Sequence, residues 1–330
     1  MSTSTWITRP RLGALGAVIL AAATASMTID VNGDSLRGSG LRRAVYSPPR
    51  TPWGDPDLQG AYSNTDERGI PMNRPTEFEG FRVQHFPPAE LARLNRERSV
   101  QFGLEKSEWE QIYEPARINN SRPWLVSDPP DGKIPAVLEA RRQVITNVPG
   151  TLPNESTKPW ESLDLVSRCI TRGLPGSMLP EIYGNSYEIL QAPGVVVITY
   201  EAIHEARVVL LDARPHVDSR IRTYLGDARG WFEGDSLVVE TTNFTSRTPF
   251  HLSSEQLKIV ERFTPIAPNV LQWSVTLDDA TAWTRPWTFG MNLTTTLERP
   301  LEFACHEGNY SLRNILAAAP DMVTTATPED

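Results

Sequence analysis

The sequence predicts a mainly β protein. Its second half is expected to form an antiparallel up-and-down barrel of the lipocalin or calycin type, preceded by a loop-rich, partly helical N-terminal extension. From residue 187 onward, short runs rich in Val, Ile, Thr and aromatic residues recur, and turn signals separate them closely. Short connections favour antiparallel neighbours, and closure removes the exposed sheet edges. An open sandwich is the alternative fold.

The first residues are typical of a cleavable export signal. Arg9 and Arg11 are the only charges before residue 26, an apolar run covers 12–23, and Ala23 and Ala25 fit a cleavage site. We therefore expect residues 1–25 to be removed and the mature chain to be periplasmic or secreted. The apolar run is shorter than the roughly 20 residues that span a bilayer. No later run is long enough, so we expect no integral membrane segment after cleavage.

The N-terminal extension is expected to contain few regular elements. Residues 26–50 are polar and predict a flexible lead-in, and residues 51–185 carry many Pro and Gly with little periodicity. We expect 51–185 to form ordered loops with short helices that pack on the barrel. The best helix candidate is 87–101, where two prolines precede strong helix formers. A shorter helical turn is expected at 109–113.

The barrel domain is expected over residues 186–316, followed by a flexible tail over 317–330. Roughly eight strands are predicted, in the runs 187–191, 195–201, 206–212, 231–244, 256–264, 270–277, 286–298 and 301–305. Gly234-Asp235 marks a hairpin. Apolar and polar residues alternate in two of these runs. In 256–264, one face holds Leu257, Ile259, Glu261 and Phe263. In 270–277, one face holds Leu271, Trp273, Val275 and Leu277.

Composition and cysteine count restrict the function classes. The formal net charge is −8, and loss of Arg9 and Arg11 makes the mature chain more acidic. Such a chain is a poor nucleic-acid binder, because phosphates require clustered Lys and Arg. No phosphate-binding glycine motif is present, so we expect no nucleotide or other organic cofactor. In an exported protein, Cys169 and Cys305 predict a disulfide; two buried free thiols are the alternative.

The segment 200–207 carries the candidate acid–base groups, with His204 as the acid–base residue and Tyr200 or Glu205 assisting. If the segment is one strand, one face holds Tyr200, Ala202, His204 and Ala206 and leaves room for a ligand inside the barrel. Glu205 and the ligand-binding candidate Arg207 then lie on the other face. If the chain instead turns at 203–205, His204 lies on the barrel rim.

Further candidates lie toward the C-terminus. His306 follows the last predicted strand and is a second polar group for the site. Trp273, Trp283 and Arg285 are candidate ligand contacts, because aromatic rings and a guanidinium suit an apolar or aromatic ligand. His204, His216 and His306 with a carboxylate would match common zinc or iron ligand sets. Because no H-E-x-x-H spacing is present, we assign no metal ligand.

Several longer motifs resemble a large, largely uncharacterised group of exported proteins of environmental bacteria. The motifs cover most of the mature chain and include TPWGDPDLQG (51–60), RCITRGLPG (168–176), YEAIHEARVVLLDARPH (200–216), GDARGWFEGDSLVVETTNFT (226–245) and ACHEGNY (304–310). The resemblance implies export and a bacterial source. It implies no particular reaction or catalytic residue.

These observations favour an exported enzyme that acts on a small hydrophobic or aromatic molecule. The expected chemistry is cofactor-independent proton transfer of the lyase, isomerase or cyclase type. One alternative is a barrel that binds a small ligand without catalysis. A further alternative is a metal-dependent hydrolase, which requires the three histidines to meet in space. The sequence contains no G-x-S-x-G motif of a serine hydrolase.

Overall fold

A computed structural model describes residues 46–105, 118–146, 163–181 and 183–318. The predicted signal, the helical turn at 109–113, and most of both the lead-in and the tail lie outside the described residues. In the part of the chain that the structure describes, no helix combines the length and apolar character needed to cross a membrane.

The described chain is built around one sheet of ten strands with three α-helices. The strands are β1 Gly60–Ser63, β2 Val126–Asp128, β3 Ser186–Ala192, β4 Val195–Tyr200, β5 Ala206–Leu210, β6 Asp227–Glu233, β7 Ser236–Thr242, β8 Lys258–Ala267, β9 Val270–Asp278 and β10 Trp287–Thr295. The helices are α1 Pro88–Glu105, α2 Glu139–Thr146 and α3 Tyr310–Ala318. Strand β1 pairs with both β3 and β10, which closes nine strands into a barrel, and β2 adds to β10.

The prediction of a mainly β, closed barrel is confirmed, but the purely antiparallel order is not. Strands β5 and β6 are parallel, with Val209 opposite Ala228 and Leu210 opposite Arg229. A parallel pair needs a connection of about a dozen residues or more, which the chain between Leu210 and Asp227 provides. The barrel is therefore mixed. Its closing strand β1 comes from the segment predicted to pack outside as loops.

Most predicted elements are present at the expected places. Strands β3 to β10 match the runs from 187 to 298, the β6–β7 hairpin turns at Gly234-Asp235, and α1 covers the predicted helix. The strand predicted at 301–305 is wrong, because this segment is irregular and ends in a turn. Strand β10 already pairs with β9 on one side and with β1 and β2 on the other. No edge of β10 is left for a following strand.

Large side chains occupy the barrel interior. Both predicted faces of β8 and β9 point inward and are buried, including Glu261 and Trp273. Their inner neighbours are also nearly inaccessible and include Tyr187, Tyr200, Trp287 and Phe289. Each such aromatic or aliphatic side chain contributes roughly 1.5–3 kcal/mol by leaving water. The interior of the described barrel is thus a packed core, and the roomy lumen that a single strand over 200–207 implied is not present.

The predicted disulfide between Cys169 and Cys305 is confirmed. The bridge joins residues 136 positions apart, with Cα atoms separated by 5.9 Å. It ties the loop before β3 to the segment after β10.

Candidate functional site

An open cleft of about 410 Å³ lies in the barrel wall where β5 and β6 separate. The start of β5 and the turn before β6 line it, through Glu205, Ala206, Arg207, Val208, Thr223, Tyr224, Leu225 and Gly226. The β5–β6 ladder holds only two residue pairs, at Val209 and Leu210. The N-terminal half of β5 therefore has no paired strand on this side, and it faces the turn across an open gap.

The turn that forms the far wall of the cleft is held in a fixed shape. The Thr223 hydroxyl donates to the Gly226 carbonyl at 2.8 Å, and the Gly226 amide points back to the Thr223 carbonyl at 3.4 Å. Gly226 has φ 71°, and a Cβ there would come within 2.5 Å of the Thr242 carbonyl oxygen. A side chain at this position is therefore excluded, and the wall needs glycine.

Glu205 is the one acidic residue among those that line the described cleft. Burial raises the pKa of this carboxyl above its usual range, although hydrogen bonds from Thr171, Ser177 and the Arg172 amide oppose the rise. The Arg172 amide and the Ser177 hydroxyl lie 3.4 and 3.3 Å from Glu205 Oε2. A carboxyl with a raised pKa exchanges protons closer to neutral pH than an ordinary glutamate does.

The loop that holds Glu205 belongs to the motif RCITRGLPG and is fixed at several points. The Ser177 hydroxyl also lies 2.9 Å from the Gly173 carbonyl. A Cβ on Gly173 would contact Thr248 at 3.1 Å, and φ there is 64°. Cys169 anchors the start of the same loop through the disulfide. The carboxyl of Glu205 is therefore positioned by a loop that is itself cross-linked to the rest of the molecule.

A buried polar cluster lies beneath the cleft. The Arg207 guanidinium binds both carboxylate oxygens of Glu261, with Nη2 at 3.2 Å from Oε1, and Trp273 Nε1 donates to Oε1 at 3.0 Å. The side chains of Arg207 and Glu261 are 3% and 0% exposed. Among the described residues, neither Arg207 Nε nor the Tyr200 hydroxyl has a hydrogen-bond partner of good geometry. Burial raises the pKa of Tyr200, and the nearby Arg207 opposes the rise.

The chain turns between Tyr200 and Glu205, as the second sequence interpretation expected. Residues Ala202–His204 form a single 3-10 turn in which Ile203 and His204 adopt φ 60° and 40°. The turn resets the strand alternation, so the face that a single strand would give to Tyr200, Ala202, His204 and Ala206 is not formed. Tyr200 and Arg207 point inward instead, whereas Ala206 is exposed on the outside.

The three histidines considered as metal ligands lie in different surroundings. His204 is exposed, with Nδ1 at 3.1 Å from the Phe303 carbonyl, and His306 is exposed in the turn after Cys305. His216 lies between Asp227 at 2.8 Å and Glu240 at 3.2 Å. No group of three or more His, Cys, Asp or Glu among the described residues is arranged to hold a metal ion. The convergence that a metal hydrolase with these histidines requires is therefore not observed.

The remaining ligand-binding candidates do not line the cleft. Trp273 lies inside the barrel, and Trp283 is buried with its ring 5.5 Å from that of Trp287. Arg285 is half-exposed and binds Asp128 at 3.0 Å. Of the eight residues assigned to catalysis or ligand binding, only Glu205 and Arg207 line the cleft. No sequence pattern predicted a role for Thr223 and Tyr224, because only the three-dimensional pairing of β5 with β6 brings this segment beside residue 205.

Comparison of the chain with protein-family models, with curated proteins and with solved structures finds no match.

Proposed function

We propose that the protein is an exported enzyme that transfers a proton on a small hydrophobic or aromatic molecule bound in the wall cleft. Glu205 is the acid–base group, and the reaction is of the lyase or isomerase type. The observation that carries the proposal is the raised pKa of a cleft-lining carboxyl whose position is fixed by the 171–177 loop. Proton transfer of this kind needs no organic cofactor.

The lining of the cleft supports this choice of substrate class. Ala206, Val208 and Leu225 present aliphatic surface, and Tyr224 adds an aromatic ring with a hydroxyl. A cleft that combines apolar surface with a few polar groups can bind an apolar molecule and orient it through those groups. The Tyr224 hydroxyl is the candidate partner of Glu205 among the residues that line the cleft. His204, which does not line the cleft, has no role in this proposal.

A binding protein without catalysis is the second candidate. It is favoured by the pairing of Arg207 with Glu261, because the cation that lines the cleft is already neutralised and does not stabilise negative charge that would develop on a reacting molecule. In this case the cleft holds the molecule, and Glu205 serves as a hydrogen-bonding anchor.

Export and residence in the periplasm or outside the cell are part of the proposal. The disulfide between Cys169 and Cys305 supports it, because such bonds persist in oxidising compartments.

The test is substitution of the proposed acid–base group. A library of small hydrophobic and aromatic carbonyl compounds is incubated with the protein in D2O, and mass spectrometry follows product formation and deuterium uptake. For any compound turned over, we expect Glu205→Gln to lower kcat/KM about 10²–10⁴-fold. If Glu205 acts as the base, wild-type kcat/KM rises with pH through its pKa, above the usual range for glutamate.

The matched control is Glu188→Gln, which removes a partly buried carboxyl from β3, outside the cleft lining. This variant should retain wild-type kcat/KM. Equal turnover in Glu205→Gln and wild type contradicts the assignment. Binding of library compounds without turnover or deuterium uptake favours the second candidate.

A further inference from the structure

The outer face of β3, β4 and β5 is apolar, although it points away from the packed core. Its outward positions form cross-strand rows, with Leu190 opposite Val197 and Val197 opposite Val208. A second row joins Val195 to Ala192 on one side and to Leu210 on the other. We call these six residues the outer apolar face. Leu190 and Val208 remain 45% and 54% exposed.

The opposite side of the same barrel has a more polar exterior, as expected of a sheet with one face in water. Outward positions on β8 include Lys258, Arg262 and Thr264 and also Val260 and Ile266, and those on β9 include Gln272 and Ser274. On these strands polar side chains interrupt the outward apolar ones, whereas the rows of the outer apolar face are apolar on all three strands. Contiguous exposed apolar surface of this kind is typical of a binding surface.

The outer apolar face is continuous with the cleft. Val208 belongs to both, and Ala206, the next outward residue of β5, also lines the cleft. Strands lie about 4.8 Å apart, so the row from Val208 to Leu190 extends roughly 10 Å away from the cleft. Charged side chains border the face at Glu188 and Arg229 without interrupting the rows. One molecule can therefore contact Glu205 and the outer apolar face together.

We infer that the substrate of the cleft is a neutral amphipathic molecule, with a polar reacting end at Glu205 and an apolar body lying across β5, β4 and β3 on the outside of the barrel. The inference rests on the proposed function for the identity of the reacting end. It adds that the apolar body lies on the outer wall, while aromatic side chains fill the interior. Binding strength then increases with the length of the apolar body until it reaches Leu190.

The probe is a series of 2-alkanones from acetone to 2-nonanone, with dissociation constants measured by NMR titration of the full exported chain. We expect affinity to rise roughly twofold to fourfold per added methylene in the longer members, as burial of a methylene implies. Leu190→Glu should abolish this increase for the longest members and leave acetone unchanged. Ile266→Glu, at a residue of similar exposure (43%) on β8, should keep the increase. Val208→Thr, nearly isosteric, should weaken binding of every member longer than acetone.

The outcomes separate the inference from the proposed function. Affinity that does not depend on chain length, or that depends on it equally in Leu190→Glu and wild type, overturns the inference. A wild-type dimer by light scattering that Leu190→Glu converts to a monomer also overturns it, since the face would then join two copies. Glu205→Gln should retain the chain-length dependence. If the Glu205→Gln variant keeps this dependence and also exchanges deuterium into every compound turned over as fast as the wild type does, the proposed function is wrong. The binding site on the outer wall is then still supported.

Discussion

At the scale of single residues, the Arg207–Glu261 pair is the most consequential buried contact. Both charges are almost inaccessible, and each satisfies the other within a barrel of apolar side chains. Two charges buried together gain from mutual attraction, but removal of one leaves the other uncompensated. The pair also supports the floor of the cleft, because Arg207 lines it.

We expect Arg207→Met and Glu261→Met each to lower the free energy of unfolding by about 3–5 kcal/mol, since each leaves a lone buried charge. The double variant should recover most of this loss, because it removes both charges and retains volume. Urea unfolding of the four proteins in a double-mutant cycle measures the coupling. Strictly additive losses would mean that the two side chains do not depend on each other.

The sequence predicted part of this arrangement and not the rest. Alternation along β8 placed Glu261 on the face of Ile259 and Phe263, and the structure confirms that face. The first sequence interpretation, a single strand over 200–207, placed Arg207 on the face opposite Tyr200, whereas the second interpretation, a turn at 203–205, is the one observed. The turn depends on positive φ values at Ile203 and His204, which are uncommon for residues other than glycine, so the local sequence did not decide between the two interpretations.

At the scale of elements, the disulfide links two segments that have few regular contacts. It holds the loop that positions Glu205 against the segment after β10, where the Phe303 carbonyl also accepts the hydrogen bond of His204. The even cysteine count and the predicted export signal were enough to predict this pair. The parallel β5–β6 ladder was not predictable, because a two-pair contact leaves no pattern in the hydrophobic periodicity.

We expect Cys169→Ser/Cys305→Ser to lower the free energy of unfolding by about 4–5 kcal/mol, as loop-closure entropy for a bond across 136 residues implies. Reductant should produce the same loss in the wild type and none in the double variant. Chemical denaturation with and without reductant is the measurement. An unchanged midpoint in the double variant would show that the rest of the fold already restrains both segments.

At the scale of the whole molecule, β1 determines whether the sheet is a ring. Its four residues pair with β3 on one side and β10 on the other, with Tyr62 opposite both Tyr187 and Thr295. No sequence pattern predicted β1, because the strand is short and lies among prolines and glycines. Its pairing depends on partners more than 120 positions away.

A chain that begins at Asn64 should lose the cooperative unfolding transition of a chain that begins at Tyr46. Without β1, β3 and one side of β10 have unpaired backbone groups, and the inner side chains beside them meet water. Circular dichroism during thermal unfolding compares the two chains. Identical transitions would mean that the other strands close the barrel without β1.

The location of the cleft in the wall also bears on how the chain can diverge. Because aromatic packing fills the interior, substitution of outward side chains of the cleft, such as Val208, leaves the core in place. Arg207 and Gly226 are exceptions, since Arg207 is buried with Glu261 and a Cβ on Gly226 would meet the Thr242 carbonyl oxygen. Substitutions at Val208 or Tyr224 can therefore change ligand specificity without destabilising the barrel, whereas a substitution at position 207 affects both specificity and stability.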